Sequence, residues 1–244
     1  MKIVLAGSGG LIGSYLEDAL AQKYELVRLK RKSSKASPGT LPERVWEPPL
    51  LGDWAKEVDG AFAVINLSGE PIAGRHWTSE QKKALRRSRI DTTKALVDAM
   101  AQAKQKPKVF LNASAVGYYG AGEKPMNEKS PRGTGFLPEL CGEWEKEALR
   151  AEPLGVRTVL LRTGIVLAED GGALTKMIPP FMMFIGGPLG DGKQWMSWVH
   201  IEDEIGAIVW AVENPGVHGP LNLTAPEPVM MGQFAAQLGR TLQR

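Results

Sequence analysis

Residues 1–13 read MKIVLAGSGGLIG, a short apolar run that breaks into a glycine-rich stretch. A helical pattern follows from Ser14 to Gln22, with Leu16 and Leu20 on one face. A strand, a glycine turn and a helix in this order are typical of a dinucleotide site, because glycines let a phosphate approach the backbone and the N–H groups at the helix start hold it. An ordinary strand–helix turn is the alternative. The expected contacts are Gly7, Gly9, Gly10, Leu11, Ile12 and Gly13.

Strand-like and helical segments alternate along the rest of the chain. Further strands are predicted at 25–29, 61–67, 108–113 and 157–161, and helices at 79–104, 137–151 and 202–214. Strands separated by helices form a parallel sheet with helices on both faces. The predicted fold class is therefore α/β, a doubly wound parallel sheet of the Rossmann type.

Composition limits the function classes. The 244 residues are 43% hydrophobic and 23% charged, as in an ordinary globular protein, and the net charge of +3 is too small to indicate a nucleic-acid surface. The single cysteine, Cys141, excludes an intrachain disulfide, and a strand beginning at Lys2 leaves no room for a signal peptide. No apolar stretch is long enough to span a membrane, and the three histidines show no metal-site spacing. We expect a cytoplasmic protein.

Glycine and proline become frequent after Leu167, most of all between Gly171 and Gly192. In a doubly wound fold, ligands bind outside the carboxyl ends of the strands, where a loop-rich insertion would form the substrate side. We therefore divide the chain into a nucleotide-binding core at 1–165 and 198–214, and a small substrate-side region at 166–197 and 215–244. A decorative loop without a function is the alternative.

The end of the second predicted strand distinguishes between the two nicotinamide cofactors. An acidic residue there binds the ribose hydroxyls of NAD, whereas a basic residue receives the 2′-phosphate of NADP. Residues 27–35 read VRLKRKSSK and contain no carboxylate. Arg31 suits a phosphate best because its planar fork binds two oxygens, and Lys32 and Ser33 are further candidates. The sequence favours NADP(H), with a solvated basic loop as the alternative.

Motifs along nearly the whole chain resemble a known family. They are VINLSGEPI at 64–72, SRIDTT at 88–93, ASAVGYYG at 113–120, WE at 144–145, LRTGIVL at 161–167, GGPLG at 186–190, QWMSWVHIED at 194–203 and NLTAP at 222–226. In this order they resemble the extended short-chain dehydrogenase/reductase superfamily, in its atypical "epimerase family protein" branch, which is similar to NAD-dependent epimerases and dehydratases. Members usually continue beyond the position of Arg244, where this sequence stops, by a short C-terminal segment; a truncated sequence and a protein without this segment are the two alternatives.

The resemblance implies an active site that this chain carries only in part. In the superfamily a serine or threonine, a tyrosine and a lysine transfer a proton while the nicotinamide gives or takes a hydride. Ser114 matches the serine. No tyrosine is followed four residues later by a lysine, and Leu137 and Cys141 occupy the tyrosine and lysine positions. Further cofactor contacts implied by the resemblance are Asn66, Leu67, Ser68, Gly69, Arg89, Ala113, Ser114, Arg162, Thr163 and Gly164.

Other side chains are candidates for the missing chemistry. Arg89 falls where many relatives have an active-site asparagine, and its guanidinium would be a cation near the nicotinamide or a clamp for an anionic substrate, with a surface residue of the basic helix as the alternative. Tyr119 offers a phenol, with aromatic packing as the alternative. Cys141 offers a thiol, although a buried helical cysteine is usually a small apolar residue. His200 is expected to be structural, and the acidic residue after it is expected to cap the next helix.

Two functions remain open on the sequence. One is an NADP(H)-dependent oxidoreductase or sugar-nucleotide epimerase-like enzyme with a non-standard site and an unknown small-molecule substrate. The other is a non-catalytic NADP(H)-binding or sensing protein, which the missing tyrosine–lysine pair favours. The oligomeric state is open on the sequence; extended relatives often dimerise through helices such as those at 79–104 and 137–151, so a homodimer is one expectation that the resemblance provides.

Overall fold

The computed structural model describes residues 1–32 and 41–244, and the predicted cofactor contact at Ser33 lies outside them. The strands are β1 (Lys2–Ala6), β2 (Glu25–Arg31), β3 (Glu43–Trp46), β4 (Ala63–Asn66), β5 (Val109–Ala115), β6 (Arg157–Thr163), β7 (Ile165–Leu167), β8 (Trp195–Met196), β9 (Trp198–His200), β10 (Gly219–Leu223) and β11 (Val229–Met230). The helices are α1 (Leu11–Ala21), α2 (Ser79–Gln102), α3 (Phe136–Ala148), α4 (Leu174–Met182), α5 (Ile201–Glu213) and α6 (Met231–Leu242).

Seven strands form one sheet in the order β10-β6-β5-β4-β1-β2-β3, and all its neighbours run parallel. The order reverses between β1 and β4, so the crevice at the carboxyl ends opens beside β1, where ligands bind in folds of this kind. The doubly wound α/β fold predicted from the sequence is confirmed.

Both faces of the sheet are covered, which explains why its strands are apolar without alternation. Ile3 and Leu5 of β1 point into a core shared with α1 and α5. Val4 and Ala6 point the other way, into a core that includes Leu96 of α2. The two cores hold the strand ends in a fixed register, which positions the loops that follow them.

The glycine- and proline-rich stretch after Leu167 adds no strand to the large sheet. The stretch is flanked by β7, which ends at Leu167 and pairs with β9, and by β8, which pairs with β11. It contains α4, a helix that holds both Pro179 and Pro180 and that the sequence did not predict. Within the described ranges, no helix is long and apolar enough to cross a membrane.

One expected helix cap is wrong. The sequence assigned the cap of the helix after β9 to an acidic residue, but the N-cap of α5 is His200, whose Nδ1 accepts the N–H of Glu202 at 3.3 Å. The side chain of His200 is therefore structural. The acidic residues 202–204 lie in the first turn, where they complement the helix dipole.

Candidate functional site

The glycine turn between β1 and α1 combines two tight contacts with one open position. A β-carbon at Gly13 would lie 2.2 Å from the carbonyl oxygen of Gly7, so α1 can approach β1 only with glycine there. Gly7 has a φ of +92° and packs against the backbone of Leu67. A β-carbon at Gly9, in contrast, would meet nothing within 4 Å. The open space at Gly9 lies beside the start of α1, whose N–H groups are suited to a phosphate.

A basic cavity lies at the carboxyl end of β2. Arg31 and Lys32 line a space of about 420 Å³ together with Trp46, Glu47 and Pro48. Arg31 pairs in register with Trp46 of β3, so the guanidinium and the indole ring belong to one cavity wall. Arg31 and Lys32 are both exposed. The cavity therefore offers two cations to a ligand, whereas Trp46 in its wall is only 2% exposed.

The loop after β4 packs on the glycine turn. The Leu67 N–H donates to the Ala6 carbonyl at 2.8 Å, and the Ser68 N–H donates to Asn66 Oδ1 at 3.1 Å. Asn66 itself is fully buried, and its Nδ2 donates to Asn112 Oδ1 and to Thr93 Oγ1. The side chain of Asn66 thus shapes the loop from within the core, and Gly69 is the exposed residue of the predicted segment.

Arg89 reaches this loop from α2. Its Nη2 donates to the Glu70 carbonyl at 3.0 Å and its Nη1 to the Leu85 carbonyl at 3.2 Å. The guanidinium lies 5.1 Å from the ring centroid of Trp144 and is only 8% exposed. Burial lowers the pKa of Arg89 below the ordinary value of an arginine.

Ser114 lies in a buried polar network rather than on an open surface. Its hydroxyl donates to Glu145 Oε1 at 2.6 Å, and Arg162 grips the same carboxylate through Nε and Nη2, each at 2.8 Å. Burial alone would lower the pKa of Arg162, but its hydrogen bonds to Glu145 and Tyr119 outweigh burial and raise it. The proton of the Ser114 hydroxyl is therefore engaged by a carboxylate that an arginine neutralises.

The two tyrosines after β5 belong to the same network. The guanidinium of Arg162 lies 3.6 Å from the ring centroid of Tyr118. The phenol of Tyr119 accepts from Arg162 Nη1 at 2.9 Å and donates to Asn222 Oδ1 at 2.6 Å. Tyr119, predicted as a proton donor, has its own proton bound by Asn222.

Leu137 and Cys141, which stand at the positions of the superfamily tyrosine and lysine, face the turn after β5. A β-carbon at Gly117 would lie 3.6 Å from Leu137 Cβ and 3.9 Å from Cys141 Sγ. Burial, with a smaller contribution from the charge of Glu145, raises the pKa of Cys141 to about 11. The thiol stays protonated at neutral pH, so Cys141 supplies neither the cation nor the thiolate that the sequence left open.

Thr163 is the last residue of β6 and Gly164 follows it, and Thr163 contacts a carboxyl group that was not predicted from the sequence. Thr163 donates to Glu204 Oε1 at 2.8 Å, whereas Oε2 of the fully buried Glu204 has no hydrogen-bond partner in the described ranges. Burial raises the pKa of Glu204 to about 7 against the opposing effect of the Thr163 hydrogen bond. Its place in the acidic first turn of α5 was the available clue.

Glu145 is the second residue of the site that was not predicted from the sequence, where it appears only within the WE motif at 144–145. Its place one residue after Trp144 on the buried face of α3 was the available clue. Within residues 1–32 and 41–244, no group of three His, Cys, Asp or Glu side chains is arranged to hold a metal ion.

The parallel sheet and the glycine turn at its switch point define an NAD(P)-binding fold of the short-chain dehydrogenase/reductase class. Residues 3–223 match the model of the NAD dependent epimerase/dehydratase family, so the chain belongs to that family, as an atypical member without the tyrosine–lysine pair. The resemblance stated from the motifs is confirmed.

Two relatives and one more distant structure illustrate the similarity. The chain is 41% identical to "Epimerase family protein SDR39U1 homolog, chloroplastic" of Arabidopsis thaliana, over 100% of this chain and 72% of the relative. The crystal structure of human epimerase family protein SDR39U1 (isoform 2) with NADPH superposes with a TM-score of 0.89 at 33% identity, covering 100% of this chain and 81% of that one. A UDP-glucuronic acid 4-epimerase from Bacillus cereus with NAD shares the fold, with a TM-score of 0.82 at 19% identity, over 100% of this chain and 84% of that one.

Proposed function

We propose that this chain is an NADP(H)-binding oxidoreductase or epimerase-like enzyme that acts on a small molecule through a non-standard site. The observation that carries the proposal is the pairing of the open turn at Gly9 with the basic cavity at Arg31. The first leaves room for a pyrophosphate at the start of α1, and the second places cations where a 2′-phosphate binds. The NADPH in the human relative supports this choice of cofactor over NAD.

The residues present fit the cofactor in their type and position. Gly7, Gly9 and Gly13 keep the turn free of side chains, and Arg31 and Lys32 supply the charge for the phosphate, next to Trp46. When bound, the nicotinamide supplies hydride transfer. The chain's own residues fix the loop after β4 against the turn, and Arg89 of α2 donates a hydrogen bond to that loop from within the core.

A test of cofactor choice compares NADPH and NADH binding by calorimetry. We expect wild type to bind NADPH more tightly, and Arg31→Ala to weaken NADPH binding by about tenfold to a hundredfold while leaving NADH within about twofold, as loss of a charge-assisted contact predicts. Arg87→Ala, which removes an exposed arginine of α2, is the matched control. No NADPH binding by wild type, or equal losses for both cofactors, would refute the proposal.

A non-catalytic NADP(H)-binding or sensing protein is the second candidate. Two observations favour it: the pKa of Cys141 is raised to about 11, and the Ser114 proton is already bound by Glu145. It predicts tight NADPH binding without turnover on a panel of carbonyl compounds and nucleotide sugars. Substrate-dependent oxidation of NADPH that disappears in Ser114→Ala, with NADPH binding retained, would exclude this candidate in favour of the enzyme.

We also retain two expectations as parts of the proposal. A cytoplasmic location suits a chain with one buried cysteine, because that compartment keeps thiols reduced. A homodimer through α2 and α3 remains a prediction, which the mass of the purified protein in solution would test.

A further inference from the structure

Arg89 is the one buried arginine in the described ranges that lacks a carboxylate partner. The other two are neutralised, Arg28 by Glu17 at 3.0 Å and Glu43 at 3.1 Å, and Arg162 by Glu145. The guanidinium of Arg89 donates only to two carbonyl oxygens and, at 3.4 Å, to a serine hydroxyl. Glu70 forms no salt bridge with Arg89, and its charge offsets the burial of the guanidinium only in part. A buried charge that is incompletely compensated is costly, so its retention points to an anion that arrives with a ligand.

The guanidinium lies directly beneath an exposed glycine. A β-carbon at Gly69 would lie 3.2 Å from both Cζ and Nη2 of Arg89, and Gly69 itself is exposed. The loop is held there because the Glu70 N–H donates to Ser88 Oγ at 2.9 Å, one residue before Arg89. Gly69, which has no side chain, is therefore the residue that lies between the Arg89 guanidinium and the carboxyl edge of the sheet.

A second arginine shows what a purely structural arrangement looks like. Arg157 also donates to carbonyl oxygens alone, those of Ala211, Val212 and Val217. Two of these belong to the last turn of α5, where the negative end of the helix dipole stabilises a cation. The carbonyl partners of Arg89 are not at the end of a helix, since Leu85 lies within α2 and Glu70 lies in a loop.

The position of Arg89 separates it from the cofactor's own phosphates. The open glycine turn follows β1 and the basic cavity follows β2, whereas Gly69 follows β4 on the opposite side of β1. Adjacent strands are about 4.8 Å apart, so the Gly69 loop lies one strand from the turn and two from the cavity. The proposed sites for the cofactor's phosphates follow β1 and β2. Arg89 is therefore available to bind a different anion.

We propose that Arg89 binds an anionic group of the substrate, a carboxylate or a phosphate, at the carboxyl edge between β4 and β5. The planar guanidinium suits either group because both accept two parallel hydrogen bonds. This inference rests on the proposed function, which identifies the ligand as a substrate. It adds that the substrate is an anionic molecule.

The test titrates inorganic phosphate and malonate, as separate probes, into the protein with and without saturating NADP⁺, by calorimetry. We expect saturable binding of at least one probe to the NADP⁺-loaded wild type, and a loss of about tenfold or more in Arg89→Met, as removal of a charged hydrogen-bond partner predicts. Arg89→Lys should retain part of the affinity. Arg87→Met, on the exposed face of the same helix, should bind like wild type.

NADPH affinity, measured on the same variants, separates this inference from the proposed function. The resemblance implies a cofactor contact at Arg89, whereas this inference predicts that Arg89→Met loses at least about tenfold more affinity for phosphate or malonate than for NADPH. An equal loss of NADPH and anion binding would assign Arg89 to the cofactor and overturn the inference. Failure of wild type to bind NADPH, with phosphate or malonate binding that still depends on Arg89, would refute the proposed function alone.

Gly69→Ala provides a second route if Arg89→Met does not fold. Its β-carbon would lie 3.2 Å from the guanidinium, so the arginine must shift while its charge remains. We expect weaker anion binding in Gly69→Ala with an unchanged melting temperature. Anion binding that is unaffected by both variants, or that is absent from wild type at millimolar concentrations of both probes, contradicts the inference.

Discussion

Glu145 and Arg162 form a bidentate ion pair in the core, with Oε1 2.8 Å from Nε and Oε2 2.8 Å from Nη2. Their side chains are 7% and 3% exposed. The pair joins α3 to β6, and Ser114 and Tyr119 attach to it through hydrogen bonds. Ser114 and Arg162, which the superfamily resemblance assigned to chemistry and cofactor binding, are thus held in one buried electrostatic unit together with Tyr119.

Removing one partner of this pair should strongly destabilise the protein. In Glu145→Ala, Arg162 remains buried without its counter-ion, and we expect a loss of about 3–5 kcal/mol in the free energy of unfolding. Urea unfolding followed by circular dichroism measures the loss. Glu143→Ala, which breaks the exposed ion pair with Arg86 on the same helix, should change stability little. Equal effects of the two variants would contradict a structural role for the buried pair.

Glu204 should make stability depend on pH. Its folded pKa of about 7 lies above the ordinary value of 4.5, so the folded state binds the proton more tightly and stability falls as pH rises from about 4.5 to 7. Glu204→Gln keeps an acceptor for Thr163 but carries no charge. We expect it to be more stable than wild type by about 3 kcal/mol at pH 8, with the difference vanishing near pH 4.

Unfolding curves at several pH values test this expectation. Glu202→Gln, an exposed carboxylate in the same turn of α5, is the control and should follow the wild-type pH dependence. Parallel pH profiles for wild type and Glu204→Gln would show that Glu204 does not titrate in this range.

Two glycines of the turn should respond differently to a methyl group. Gly13→Ala places a β-carbon 2.2 Å from the Gly7 carbonyl oxygen, so we expect the melting temperature to fall. Gly9→Ala meets nothing within 4 Å and should melt like wild type, but its methyl group occupies the space of the cofactor's phosphates and should weaken NADPH binding. Normal NADPH affinity in Gly9→Ala would place the cofactor elsewhere.

Cys141 should be inert in the folded protein. Its pKa of about 11 leaves almost no thiolate at pH 8, and its side chain is buried. We expect iodoacetamide to modify it far more slowly in the native protein than in urea, by mass spectrometry. Cys141→Ala should retain NADPH binding. Rapid native labelling would contradict both the burial and the raised pKa.

The glycine turn and the order of the strands and helices could be predicted from the sequence because they depend on local patterns. The apolar run of β1, the glycines after it and the helical spacing from Ser14 each reflect short-range geometry. Element boundaries agreed within a few residues for β5 and α2, but β3, α4 and β10 were not predicted. Gly219–Leu223 contains a proline and pairs only with β6, so it is an edge strand with a weak apolar pattern.

The hydrogen-bond partners of the site residues could not be predicted from the sequence, because these partners lie far apart in the chain. Ser114 meets Glu145, 31 residues away, and Tyr119 meets Asn222, 103 residues away. Sequence spacing gives no information about such contacts, and the same residues would suit an open catalytic site equally well.

By itself, the sequence determined the doubly wound fold, the family and the glycine turn, since strand and helix periodicities and glycine conformations are properties of neighbouring residues. Only the tertiary structure decided which polar groups are neutralised. In the folded chain, Ser114 and Tyr119 are hydrogen-bonded to the Glu145–Arg162 pair, whereas Arg89 forms no salt bridge with a carboxylate in the described ranges. Burial and counter-ions arise from packing between distant segments, and these decide which residues remain available for a ligand.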